Sequence, residues 1–429
     1  MHRLRLTFLR LVLLVACLSG TAPVHAQDAA QALAQAAAPA PAPGVQAPPP
    51  EEDQPARTLP QTQAEAEGLY VEFGRGVNLA GDDGNFRLTL RGRLQVRSTY
   101  ERRAEDGEEN IFFQARRARL VFLGQMREQN LQLYLQLGMG ASDLERDASV
   151  PLRDAVITWT PLRATGLRMG QMKVPFSRER IISSSALQLA DRSPVNAEFN
   201  LDRDVGLQAF SNDLFGWGVL SGQVGVYGGD GRNRAAQGTG LLYAGRLQVQ
   251  PLGEFADSLV EADLTRERRV RLSLGVAAGL NLDARREQST IGAFYTDQRW
   301  DMRHASADVL IKYAGFSLQS EAIVRDATLR EGSATAEDGT LRPARVGWGW
   351  MAQGGWVSRG GYELSGRWAR IEAAADTPSA IADLTEVTLG AGYYVRNHDL
   401  KIQADVGRTW VEGAQEVGMT GRVQVQVFF

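Results

Sequence analysis

Between Phe86 and Tyr100 every second residue is polar, and four of these are arginine: Arg87, Arg91, Arg93 and Arg97, with Thr89 and Gln95 among them. A guanidinium stays protonated at any working pH and presents a fork of N–H donors that matches two oxygens of a phosphate or carboxylate. Side chains at alternate positions of an extended strand stand about 6.8 Å apart, so an anion can pass from one to the next. Conduction requires several weak sites of this kind, since one tight site blocks the path. The competing reading gives the same arginines carboxylate partners across an enclosed space, where they brace a wall.

Further basic residues extend the pattern. Arg117 and Arg119 share one face of the next segment, although apolar residues on both faces beyond Arg119 leave their direction open. The long connection from Phe176 to Asp204 carries Arg178, Arg180, Arg192 and Arg203 with Glu179, Asp191, Asp202 and Asp204, a mixture that implies a transverse field rather than a positive ring. Asp202 and Asp204 could be read as a divalent-ion pair, but Asp-rich loops are more often solvated. Beyond the first 26 residues the only histidines are His304 and His398, with no Gly-x-Ser-x-Gly elbow and no metal-ligand spacing. No enzyme chemistry, metal or cofactor follows from these residues.

The elements that must carry the arginines are strands. From Gly68 onward, segments of about 9 to 13 residues alternate apolar and polar side chains between Gly, Asp, Asn and Pro breaks. Phe86, Leu88, Leu90, Leu94 and Val96 oppose the arginine row; Leu131, Leu133, Leu135 and Leu137 oppose Gln132, Tyr134 and Gln136; Leu400, Ile402, Ala404 and Val406 oppose Lys401, Gln403 and Asp405. The last strand sets Val423, Val425, Val427 and Phe429 against Arg422, Gln424 and Gln426 and stops on the aromatic. With 44% hydrophobic and 23% charged residues, no apolar run after the N-terminus approaches the ~20 residues of a spanning helix. A soluble sandwich also alternates. Strand length, acid-rich connections such as Glu101 to Glu109 and the N-terminus together favour an all-β, transmembrane antiparallel barrel, in which lipid replaces a protein core. Such a sheet must close, because an open edge in lipid leaves backbone groups unsatisfied at several kcal/mol each.

The N-terminus supplies the export reading. Arg3, Arg5 and Arg10, the apolar run Leu11 to Leu18 and Val24-His25-Ala26 before Gln27 make residues 1–26 a cleavable signal peptide. A lipobox at Leu14-Val15-Ala16-Cys17 is the competing reading. Cleavage after Ala26 removes the single cysteine, which suits an oxidising compartment, and takes the formal net charge from −3 to about −6, so nothing draws nucleic acid. Residues 27–67 are Ala-, Pro- and Gln-rich and too poor in large apolar side chains to fold alone; they read as a disordered periplasmic segment, ahead of a barrel domain at 68–429.

Several segments in order resemble the phosphate-selective porin O and P family. They include Leu90-Arg91-Gly92-Arg93-Leu94-Gln95-Val96, Arg116-Arg117-Ala118-Arg119-Leu120, Gly170-Gln171-Met172-Lys173-Val174-Pro175-Phe176-Ser177, Asp191-Arg192-Ser193 and Arg203-Asp204-Val205-Gly206-Leu207. Further on, Gly228-Gly229-Asp230-Gly231-Arg232-Asn233 and Lys312-Tyr313-Ala314-Gly315-Phe316-Ser317-Leu318-Gln319 fit the same pattern. The resemblance implies a 16-stranded outer-membrane barrel, usually a homotrimer, with an inward-folded constriction loop and basic side chains that lead small anions, phosphate or polyphosphate among them, through a water-filled channel. Lys173 joins the pore-lining candidates on that basis, and Phe429 becomes the mark read by the barrel assembly machinery. The chain departs from the family in its lysines: Lys173, Lys312 and Lys401 are the only three, so a lysine cluster is missing. A weakly selective general porin, and a structural protein tethering the envelope through residues 27–67, are the alternative readings.

Overall fold

The arginine-bearing segment forms one strand of 17 residues, β3 (Phe86–Arg102), and its alternation is carried around the molecule by its neighbours. The computed structural model describes residues 68–429 apart from 82–83, 141–142, 144–149, 236–237, 239, 258, 334 and 336–340. The signal-peptide, Cys17 and Ala/Pro-segment readings lie outside the described residues.

After β3 follow β4 (Glu109–Met126), β5 (Leu131–Gly138), β6 (Leu152–Leu162), β7 (Thr165–Lys173), β8 (Arg203–Ser211), β9 (Leu220–Tyr227), β10 (Leu242–Val249) and β11 (Arg271–Ala284). The remaining strands are β12 (Arg299–Tyr313), β13 (Phe316–Glu331), β14 (Gly347–Val357), β15 (Tyr362–Ala373), β16 (Leu384–Arg396), β17 (Leu400–Val411) and β18 (Gly418–Phe428). Each is antiparallel to the next, and β18 pairs with β3 from Met419↔Arg102 to Phe428↔Arg93, which closes a barrel of 16 strands. Just past that pairing, Gly92 N–H donates to Phe429 O (2.8 Å) and Phe429 N–H to Gly92 O (3.0 Å). Where the terminal strand stops, a hairpin of β1 (Gly68–Glu72) and β2 (Gly76–Ala80) takes over and pairs with Arg87 to Leu90 of β3.

The outer face is apolar and the inner face polar. Val96, Leu133, Ile157, Leu207, Val276, Leu318, Leu389 and Val425 point outward, whereas Gln95, Gln136, Thr158, Gln208, Ser273, Gln319, Thr388 and Gln424 are enclosed. Near one rim the outward side chains turn aromatic, with Phe316 beside Trp356 (6.1 Å) and Tyr362 stacked on Tyr393 (4.6 Å), as at a membrane interface. That rim holds the short connections 127–130, 163–164, 314–315, 358–361 and 397–399, and is the periplasmic one by the rule of short inner turns. The longer connection 174–202 leaves from the opposite rim.

Apolar side chains also occur on the lumen face: Val121, Met302, Leu310, Ile323, Met351 and Ile371 are all buried. In a water-filled interior they would be costly, and each lies where a connection folds inward over it. Val121, Tyr134, Val156, Ile323, Met351 and Ile371 form one cluster with Val174, Phe176, Val195, Phe199 and Leu201 of the 174–202 connection. The protein's main hydrophobic core is therefore inside the barrel, between wall and loop.

Candidate pore constriction

The loop 174–202 is built as a self-supporting unit. Ser177 caps α1 (Arg178–Ile181) by accepting from Arg180 N–H at 3.3 Å, and Ser193 caps α2 (Pro194–Phe199) by accepting from Asn196 N–H at 3.1 Å. The Glu179 carboxylate accepts Ser193 N–H (2.9 Å), and Asn196 donates to Ser177 Oγ (2.7 Å), so the two turns hold each other. Burial pushes the Glu179 carboxyl up, against Arg367 and the Ser193 bonds, which pull it down.

Wall residues receive this unit on three sides. On β13, Glu321 accepts the N–H groups of Arg178 (2.7 Å) and Glu179 (3.3 Å). Arg178 reaches Asp308 (2.5 Å) and Ser273 (2.8 Å), while Arg246 donates to Phe176 O at 3.0 Å. On the far side of α2, Glu198 is clamped by Arg325 and Arg345. Several wall positions on which the loop packs are glycine. A Cβ at Gly349 would stand 2.9 Å from Val195 and 3.0 Å from Phe199, one at Gly279 would stand 2.8 Å from Leu201, and one at Gly390 would overlap Leu189.

The apex of the loop lies against the arginine wall. Arg87, Arg91, Arg93 and Arg97 all project into the lumen, as their alternation requires. Arg93 donates to Ser183 Oγ (3.4 Å) and Ser184 Oγ (3.1 Å), and Arg119 donates to Ser184 Oγ (3.4 Å). Arg91 reaches Gly74 O in the N-terminal hairpin at 2.8 Å. Arg117 and Arg119, whose direction the sequence left open, point inward. They pair with the lumen-facing Gln95 and Arg93, and at the adjoining β-bulge, where Val96 pairs with Ala115, Arg116 is the extra residue, so both Arg116 and Arg117 reach the lumen.

Asp191 is the acidic hub of this wall. Its carboxylate takes Arg97 (2.5 Å), Arg116 (3.2 Å), Arg117 (3.4 Å) and Arg422 (3.4 Å). Burial raises its carboxyl, but Arg116, Arg97 and Arg117 together outweigh burial and hold it well below the usual carboxylate range. A second hub is Asp143, salt-bridged to Arg119 (2.8 Å) and Arg153 (3.1 Å); burial opposes its ionisation, and the two arginines nonetheless hold it at about 2.

The other basic candidates are placed as follows. Arg180 and Arg203 both bind Asp202, whose carboxyl they keep well below the usual range against burial, and Arg203 also pairs with Asp154 at 3.0 Å. Arg192 folds back onto Glu179 O (2.5 Å) and Ile182 O (2.6 Å). Lys173 donates to Ile181 O at 3.0 Å, Lys312 to Asp257 at 2.6 Å and Lys401 to Leu187 O at 2.8 Å. The three lysines stand on β7, β12 and β17 and form no cluster. Asp204 accepts Val205 N–H and Gly229 N–H, both at 2.7 Å. Among the described residues no group of His, Cys, Asp or Glu is arranged to hold a metal ion.

Sequence reasoning left Arg153, Arg246, Arg367 and Arg422 out of its pore candidates, although all four line the same lumen. Their alternation carries the information, with Arg422 in phase with Gln424 and Gln426, but each strand holds only one such arginine and so offers no row.

A closed barrel with an apolar exterior, a polar interior and a loop folded across the lumen is an outer-membrane porin. The model of the family described as phosphate-selective porin O and P matches residues 86–416, well over half of the chain, and the protein belongs to that family. Solved structures agree on the fold. The anion-selective porin from Comamonas acidovorans is 12% identical with a TM-score of 0.53, covering 80% of this chain and 100% of its own. The outer-membrane channel DcaP of Acinetobacter baumannii is 11% identical with a TM-score of 0.51, covering 85% of this chain and 100% of its own. A loop-deletion mutant of OmpT, an outer membrane protein of Vibrio cholerae, is 10% identical with a TM-score of 0.51, covering 80% and 100%. No functionally curated protein matches the chain.

Proposed function

We propose that this porin passes small anions by diffusion, oxyanions preferred, along the arginine wall of β3 and β4 where the constriction loop meets it. The observation that carries this reading is the convergence of Arg93 and Arg119 on the serine hydroxyls of the loop apex. Guanidinium and hydroxyl donors face one another there, a set suited to an oxyanion shedding part of its water. A porin of the same fold from Comamonas acidovorans is described as anion-selective. Arg97 has the bracing role through Asp191, so within the β3 row the guiding role falls to Arg87, Arg91 and Arg93. Phosphate and polyphosphate remain candidate substrates; the dispersed lysines argue for a selectivity built on arginine. Export through the 1–26 signal peptide and trimer formation belong to the same reading, and the Ala/Pro segment is its periplasmic extension.

Planar-bilayer recording tests it. Reversal potentials in a salt gradient are expected to show anion preference, with phosphate slowing chloride current. The Arg91→Glu/Arg93→Glu double variant is expected to lose that preference, and an unchanged reversal potential in it would sink the proposal.

A further inference from the structure

One periplasmic connection does not behave as a turn. Residues 250–270 join β10 to β11 at the rim where five connections have only two to four residues. Phe255, Asp257, Leu259, Glu261, Ala262 and Asp263 are all buried. Phe255 and Leu259 pack on Leu310, which stands on the lumen face of β12, so the segment runs up into the barrel.

Charge and backbone bonds hold it there. The amine of Lys312, also a lumen residue, donates to Asp257 (2.6 Å) and to Ala262 O (2.9 Å), and Asp263 accepts Gly315 N–H at 2.7 Å. Higher in the lumen, Glu261 accepts the backbone N–H of Gln188 at 2.8 Å and the side chain of Gln353 at 2.9 Å. Gln188 belongs to the constriction loop. Val260 packs beside it against Ile182, Ala186 and Leu187 of the same loop. The underside of the constriction loop therefore rests on a segment that enters from the opposite end of the barrel.

We propose that residues 250–270 form a second constriction, a plug seated from the periplasmic side that narrows the passage below the loop 174–202 and props it from beneath, with Glu261, Asp257 and Lys312 as its positioning residues. Its apolar side covers Leu310 and the constriction loop, and its polar residues bond to the wall and to that loop, so it fills lumen that would otherwise hold water. Solute size is then set by two elements in series. The inference rests on the channel reading but not on anion preference.

Liposome swelling with neutral sugars of increasing size reads the width of the passage independently of charge. Replacing 252–269 by a short turn, and separately Glu261→Ala, are expected to raise swelling rates about twofold for the larger sugars, because an aqueous path is limited by its narrowest filled section. Heat-modifiable gel mobility establishes that each variant is folded, and Glu261→Ala keeps the test alive if the replacement does not assemble. Swelling rates equal to wild type in the folded variants would overturn the plug. Bilayer currents without anion preference in the wild type would overturn the earlier proposal and leave this one standing.

Discussion

Asp191 shows how one residue can set the sign of a passage. Four guanidiniums converge on its carboxylate, and the surplus of positive charge along the wall depends on how many of them it neutralises. Asp191→Asn is expected to raise the anion-to-cation permeability ratio while loosening the loop apex, at a cost of about 1–3 kcal/mol for a partly accessible hub. Reversal potentials and protease sensitivity of the loop would check the two effects separately, and a fall in anion preference would contradict the assignment. The acid side of the pH profile follows from Asp143. Its folded value of about 2 lies below the ordinary one near 3.9, so its contribution, on the order of 2–3 kcal/mol, is complete above the ordinary value and is lost only as pH falls through about 2. The Asp143 anchor itself is therefore expected to hold unchanged from pH 7 to pH 4, and the Asp143→Asn variant to give noisier conductance than wild type at every pH in that range. Equal noise in variant and wild type would remove Asp143 as an anchor.

At the scale of elements, the strands were legible and the inward folds only partly so. Alternation in β3, β5, β17 and β18 assigned wall and lumen faces correctly, because lipid outside and a polar interior impose a period of two on a spanning strand. The constriction loop stood out by length and charge. Segment 250–270 did not, since it reads as weak, mixed sequence; the clue was Leu310, an apolar residue on the polar face, which makes sense only with something folded over it. The direction of Arg117 and Arg119 was hidden because Val121, next on the same face, is apolar: it packs beneath the inward loop, so both faces of that stretch read as greasy. Glycines tell the same story from the wall side. Gly349→Val would press on Val195 and Phe199, and such overpacking costs about 1–3 kcal/mol, enough to shift α2. Single-channel records are expected to show altered mean conductance and added fluctuation, whereas the lipid-facing Leu389→Val should leave both unchanged. Identical records for the two variants would mean that the loop is not seated on this wall.

For the whole molecule the decisive contact is the seam. β18 and β3 lie at opposite ends of the barrel sequence, and until they pair, both edges expose backbone groups that the membrane cannot satisfy. The seam ends at Gly92, whose missing side chain leaves the space occupied by the Phe429 ring, and the two backbones exchange a pair of hydrogen bonds there. Closure by packing is one job for Phe429, recognition by an assembly machine is the further one that the family resemblance implies, and two variants separate them. Gly92→Leu crowds the ring but leaves the terminal residue in place; deletion of Phe429 removes the ring but leaves the seam room to close. In detergent refolding, where no machinery is present, Gly92→Leu is expected to lower the yield of heat-modifiable barrel more than the deletion does. In cells the order is expected to reverse, with the deletion depleting the outer membrane of folded protein and Gly92→Leu retaining more. The same order in both settings would assign Phe429 to packing alone and remove it as an assembly mark.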